Sequence, residues 1–224
     1  MPERATPLRA PRVPKRRDAD LAYDKIETLI SKLHLQPGSP IVEAEIAEMT
    51  ALGRTPVREA LMRMVSIGLV VQQPRRGLTV SAIDVVEHLD VLQTRRVLER
   101  LIASCAARRA TDSQRKAIVA CGQKMTVAAT QGDLDAYMAA DQALDHVIHD
   151  ASRNASAVKS VVPLVVQCRR FWYAYQHEGE TEEAAKAHLA LAQAIASGNE
   201  QTASDAADLL MDYLDQFARR IINT

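Results

Sequence analysis

A mainly α chain is predicted: a small amino-terminal module of three helices and a hairpin, then an all-helical antiparallel bundle of about six helices. Three observations predict it. Gly53 to Val80, GRTPVREALMRMVSIGLVVQQPRRGLTV, reads as a short helix followed by two strands around a basic turn. From Asp84 onward, apolar residues recur at helical spacing and are interrupted only by capping signals. Aromatics make up 4% of the 224 residues while alanine is abundant in the second half, a composition that suits helix packed on helix.

Residues 1–17, MPERATPLRAPRVPKRR, hold four prolines and six basic residues and no apolar run. They read as a disordered basic arm, either adding non-specific DNA affinity or doing little. A first helix is expected from Asp18 or Asp20 to His34, with Leu21, Ile26, Leu29, Ile30 and Leu33 as its buried stripe and Gln36-Pro37-Gly38 as its stop. A second spans roughly Glu43 to Thr50. The third starts at Thr55-Pro56, where the threonine hydroxyl can cap and proline brings no amide hydrogen to leave unpaired. Val57, Ala60, Leu61, Met64 and Val65 share one of its faces, and Arg58 and Arg63 project from the other, with Arg54 just ahead. Gly68 ends it. Leu69 to Gln73, the Pro74-Arg75-Arg76-Gly77 turn and Leu78 to Val80 then form a wing.

A helix that offers guanidinium groups and its own amino terminus, beside a wing tipped with arginines, fits phosphates and guanine edges of duplex DNA. The DNA-contacting set is Arg54, Thr55, Arg58, Arg63, Arg75, Arg76 and Gly77. Arg75-Arg76 alone would read as an ordinary solvated turn; beside the helix, DNA contact is the better reading. RTPVREAL, the PRRG turn and the upstream LQPG resemble the winged helix-turn-helix of GntR-family transcriptional regulators over about 60 residues. The family usually has serine where Gly53 stands, glycine where Ala51 stands and a capping serine where Val42 stands, changes that each weaken capping by about 1 kcal/mol.

After an Ala82-Ile83-Asp84 linker the helices are expected over Asp84–Arg109 (with one break allowed), Thr111 to about Thr130, Gly132-Asp133 to Ser152, Ser156–His177, Thr181–Ser197 and Asn199–Ile222. Thr111-Asp112-Ser113-Gln114 reads as a capping box. VLQTRRVLERLIASCAARRAT, DQALDHVIHDASRN and HLALAQAIASGN resemble the FadR-type helical domain called FCD, covering about residues 84–220. Domains of 18–81 and 84–222 follow. The resemblance implies a homodimer on a palindromic double-stranded DNA operator, whose DNA affinity changes when the helical domain binds a small-molecule effector, often a carboxylate. Net charge is zero but split: residues 1–83 carry 13 Lys/Arg against 9 Asp/Glu, the remainder 15 against 19. That suits a nucleic-acid module joined to an acidic partner domain.

For the effector, helical phase places Asp141 and Asp145 together at the edge of the apolar face of the Asp133–Ser152 helix. Two carboxylates one turn apart are costly to bury unless a cation or a hydrogen-bonding ligand meets them. His188 is the natural third member, and Arg95 and Arg169 can meet an anionic effector with paired hydrogen bonds. The resemblance implies a metal held by an aspartate and three histidines in many relatives; Asp141 matches the aspartate and His188 one histidine, while Asp145 and Leu210 stand at the places of the other two. Asp141, Asp145 and His188 could hold a divalent ion with waters, although a metal-free pocket is the preferred expectation. Trp172 reads as core.

The competing class is an all-helical metal-dependent enzyme fused to a DNA-targeting module, with those three residues around a metal-bound water; no nucleophile or oxyanion site supports it, and no catalytic residue is assigned. An architectural DNA binder would need a solid bundle core. Cys105, Cys121 and Cys168 lack CxxC spacing and read as packing residues in a reducing compartment. No window has the apolar length of a membrane span, so no membrane partner and a cytoplasmic location are expected.

Overall fold

A computed structural model describes residues 17–75, 77–177 and 180–223. The basic arm, apart from Arg17, and Arg76 of the wing lie outside the described residues. α1 (Asp18–Ser31), β1 (Pro40–Ile41), α2 (Glu43–Thr50), α3 (Arg54–Ser66), β2 (Val70–Gln73) and β3 (Gly77–Val80) form the amino-terminal part. The strands make one antiparallel sheet in the order β1-β3-β2.

Three local expectations need correction. α1 stops at Ser31 rather than His34, because Leu33 turns left-handed at φ 56 and its carbonyl accepts from Gln36 Nε2 at 2.6 Å. α3 begins at Arg54, so Thr55 lies inside the helix. The N-cap is Gly53, which holds an extended backbone and offers no side chain to cap with. β1 went unforeseen. Two residues carry no alternation to read, yet Pro40 pairs with Thr79 and Ile41 with Leu78. The β2–β3 register sets Gln73 against Gly77, and Arg75 and Gly77 at the turn take φ 65 and 80. Glycine supplies that conformation without steric cost.

Behind the linker come α4 (Val85–Arg109), α5 (Asp112–Gln131), α6 (Leu134–Ser152), α7 (Ala155–Tyr175), α8 (Glu180–Ser197) and α9 (Glu200–Ile222). α4 runs unbroken for 25 residues. Each start with a described cap is signalled by one polar residue. The side chains of Asp84, Asp133, Asn154 and Asn199 accept from backbone amides two or three residues on, and Thr111 with Gln114 closes the capping box. These bonds satisfy amides that the helix leaves without partners, at about 1 kcal/mol each. Pro163 lies inside α7 without ending it. Gly122 lets α5 and α8 approach: a Cβ there would meet the Cα of Leu189 at 3.2 Å.

Ile26, Ile30, Val57, Leu61, Met64, Leu69 and Val80 pack as one apolar cluster, which Val166 of α7 joins from the bundle. Ile102, Ile118, Met125, Leu144, Val161, Phe171 and Phe217 belong to a second cluster among the bundle helices. Fully burying such a side chain contributes about 1.5–3 kcal/mol, so packing carries both. The three cysteines are buried and free. Trp172 is buried, stacks on Tyr137 and donates from its indole to Tyr213 Oη at 3.3 Å. The linker is held as well. Arg170 of α7 donates to the Ser81 carbonyl at 3.0 Å, to Ser81 Oγ at 3.1 Å and to the Ala82 carbonyl at 2.9 Å. Among the described residues no helix is long and apolar enough to cross a membrane.

Candidate functional site

The outer face of α3 is one candidate surface. Arg54, Thr55, Arg58, Glu59, Met62 and Arg63 line an open groove of about 830 Å³ along it. Their i, i+4 spacing aligns them, while Val57, Ala60, Leu61 and Met64 hold the opposite face at 0% exposure. The arginines differ in how they are engaged. Arg54 has no ion-pair partner among the described residues. Arg58 gives Nε and Nη2 to the Glu43 carboxylate of α2 at 2.9 and 2.6 Å, a pair whose guanidinium remains largely in solvent. Arg63 bonds Asp20 of α1 at 2.8 Å and lies 4.4 Å over the ring of Tyr23, so it fastens α3 to α1. Arg75 and Gly77 are exposed at the wing, away from that contact.

The second candidate is inside the bundle. Arg95 of α4, Asp141 and Asp145 of α6, Arg169 of α7 and His188 of α8 all line one partly open cavity of about 30 Å³, beside Tyr137. That is room for roughly one water. Arg169 stands at its centre: Nε donates to Asp141 Oδ2 at 2.7 Å, Nη2 to Asp145 Oδ2 at 2.6 Å and Nη1 to Glu27 Oε1 at 3.1 Å. Glu27 comes from α1. Arg95 instead pairs with Glu99, one turn along its own helix, at 2.8 Å. His188 places Nδ1 2.7 Å from the Ala184 carbonyl, which can only accept, so Nδ1 carries a proton; its Nε2 is 3.4 Å from Asp141 Oδ1.

Burial and charge act against each other here. Burial alone would raise the Asp141 carboxyl, but Arg169, His188 and Arg95 together hold it below the usual range. Asp145 goes the other way, raised by burial and by the neighbouring Asp141. Glu27 is pushed up to about 7 by burial, against the pull of Arg169. Tyr137 is raised well above its ordinary value, chiefly by burial and then by Asp141. One guanidinium thus serves three carboxylates, and the ones with the shorter bonds are the two on α6.

The implied metal does not fit this arrangement. Among the described residues no group of three or more His, Cys, Asp or Glu is placed to hold an ion. The space between Asp141 and Asp145 is taken by the Arg169 guanidinium, and buried Leu210 offers no donor. Sequence reading missed Glu27 and Glu99. Glu27 shares the helical phase of Tyr23 and Ile30, and a carboxylate on a buried stripe was the available signal for its partner across the domains.

Residues 19–80 match the family described as bacterial regulatory proteins, gntR family, and residues 90–213 match the FCD domain. The chain is similar to the Nta operon transcriptional regulator of Aminobacter aminovorans, 32% identical over 81 residues, which are 36% of this chain and 39% of that relative's length. It is also similar to the HTH-type transcriptional repressor RspR of Escherichia coli K12, 24% identical over 162 residues, 72% of this chain and 71% of that one. Among solved structures, E. coli McbR/YncC aligns with a TM-score of 0.80 at 18% identity, covering 93% of this chain and 100% of that one, a likeness of fold. The FCD match alone takes in more than half the chain, and with the winged helix ahead of it this protein belongs to the GntR-family transcriptional regulators that carry an FCD domain.

Proposed function

We propose that the protein is a ligand-responsive regulator that binds a palindromic operator as a homodimer and changes its DNA affinity when a small molecule enters the bundle. Residues 18–81 would be the DNA-binding domain and residues 84–222 the effector-binding and dimerisation domain. The observation that carries the effector reading is the convergence of Arg95, Asp141, Asp145, Arg169 and His188 on one cavity. Buried charges of this density are expensive unless paired, and four helices contribute them to the same place. Arg95 and Arg169 are already engaged by carboxylates. An effector carboxylate that approaches Arg169 would compete with those partners, which would make its binding sensitive to the whole cluster. A regulator of this kind works in the cytoplasm, where the DNA is.

The test is footprinting beside the chain's own gene, repeated with the substrates and products of enzymes encoded nearby. Asp141→Ala with His188→Ala is expected to abolish the effector response while operator binding survives; a full response in the double variant would sink the pocket. Linkage is reciprocal. An effector that weakens DNA binding about tenfold must bind the DNA-bound protein about tenfold more weakly, which is about 1.4 kcal/mol.

One winged helix reaches a single half-site, so palindromic recognition needs two protomers related by a two-fold axis. Light scattering at micromolar concentration, with operator DNA present, is expected to give the mass of two protomers per duplex. A single protomer would refute the dimer.

A further inference from the structure

From the three-way bonding of Arg169, we infer that this side chain is the resident cation of the bundle cavity, standing where a metal would be held, and that it ties the cavity to α1 of the winged helix through Glu27. The inference rests on the effector reading for its regulatory meaning, but its geometry stands without it. A guanidinium presents five N–H groups in a fixed plane, and here Nε, Nη1 and Nη2 each go to a different carboxylate, from α6 twice and from α1 once. An ammonium is a compact point charge without that fork and cannot reproduce the arrangement. Arg169, Glu27, Asp141 and Asp145 are 8%, 8%, 14% and 18% exposed in their side chains, so water screens these contacts only weakly.

A divalent ion would need oxygens of Asp141 and Asp145 at roughly 2.0–2.6 Å. One oxygen of each, Oδ2, already lies 2.6–2.7 Å from a guanidinium nitrogen. An ion on the remaining Oδ1 atoms would stand beside the guanidinium on the same two carboxylates, where the two cations repel strongly, and Leu210 supplies nothing to recruit a metal instead. In this site an arginine takes an ion's place, an exchange that also brings in a carboxylate of the other domain.

The same exchange supplies a route for coupling. Glu27 has Arg169 as its ion-pair partner among the described residues, with Gln142 Nε2 of α6 at a longer 3.4 Å. A ligand that engages Asp141 or Asp145 leaves more of the guanidinium to Glu27, and one that engages Arg169 takes it away. Either changes one of the contacts that fasten α1 to the bundle. α1 in turn holds α3 through Asp20 and Arg63. The occupant of the cavity is thereby read two contacts away from the recognition helix.

Two measurements on the full chain test this without operator or effector, so a failure here is distinct from a failure of the ligand reading. Metal analysis of the purified protein, with thermal unfolding in chelator and in added zinc, manganese or nickel, is expected to find less than a tenth of an equivalent bound and an unchanged Tm. One equivalent of metal, or a Tm that falls in chelator and recovers with the ion, overturns the exchange. The second is a double-mutant cycle of Glu27→Gln and Asp141→Asn in urea unfolding. These residues sit on different domains and are joined through Arg169, so the shift in midpoint for the pair is expected to differ from the combined single shifts. Additive shifts, with both single variants folded, overturn the shared cation. If Asp141→Asn does not fold, Asp145→Asn replaces it in the cycle with the same criterion.

Discussion

Arg169→Ala is expected to lower the unfolding free energy by about 3–5 kcal/mol, because it strands Glu27, Asp141 and Asp145 in the protein interior without their common cation. Against a total of about 5–15 kcal/mol for a typical domain this is a large share, and part of the population would unfold. Arg169→Lys is expected to recover only a fraction, since one ammonium cannot bond three carboxylates in a plane. Urea unfolding at pH 7 measures both; a loss under about 1 kcal/mol would mean that the cluster is solvated or that its carboxylates take up protons in place of the arginine.

The pH dependence follows from the same groups. Glu27 is raised in the folded state to about 7, so between its unfolded value of 4.5 and that point the folded chain holds a proton that the unfolded chain has lost. Its contribution to stability is fully present below the unfolded pKa and is lost as pH rises through the folded one. Asp145, also raised, has the same sign. Asp141 is lowered and has the opposite sign, with its contribution lost only on acidification below the ordinary carboxylate range. Glu27→Gln should therefore flatten stability over pH 4.5 to 7 in particular.

Arg54→Ala is expected to weaken operator binding by about 1–3 kcal/mol if the side chain reads a base, with relaxed specificity at that position. Arg54 is the arginine of α3 with no ion-pair partner among the described residues, so its guanidinium is available without breaking a bond in the free protein. Arg58→Ala should also weaken binding, in part because Glu43 is then left as an unpaired negative charge facing phosphates. Arg63→Ala should act differently. Its bond to Asp20 and its place over Tyr23 predict a loss of stability that leaves the affinity of the folded fraction nearly intact. Fluorescence anisotropy with the operator at fixed salt separates the three. Parent-like binding by Arg54→Ala, together with lost binding by a fully folded Arg63→Ala, would reverse these roles.

How much of this was legible in the sequence depends on the range of the interaction. Helices were readable because their signals are local: Asp84, Thr111, Asp133, Asn154 and Asn199 cap within three residues, and apolar spacing sets each buried face. β1 was not readable, since a two-residue strand exists only by virtue of β3 beside it. Helical phase and family resemblance together picked out five of the groups around the bundle cavity. What phase cannot give is which charge meets which. That Arg169 would turn to Asp141 and Asp145, and that Glu27 would cross from 142 residues away to join them, depends on the packing of α1 against α7. The same limit hid the engagement of Arg63 by α1, which spacing alone placed with the DNA-facing set.

Arg170 has a consequence for association with DNA. Its guanidinium grips the carbonyls of Ser81 and Ala82 while Val166, four residues earlier on α7, is packed among the apolar side chains of the winged helix. The peptide that joins the two folds is thus fixed on the bundle before any duplex arrives. A tethered reader that tumbles on a loose linker must surrender that freedom on binding, at a free-energy cost that grows with each bond that has to be ordered. Here the Ser81 and Ala82 carbonyls are already bonded to Arg170, which removes part of that cost. These contacts give a change of angle at α7 a direct path to the winged helix through Arg170 and Val166.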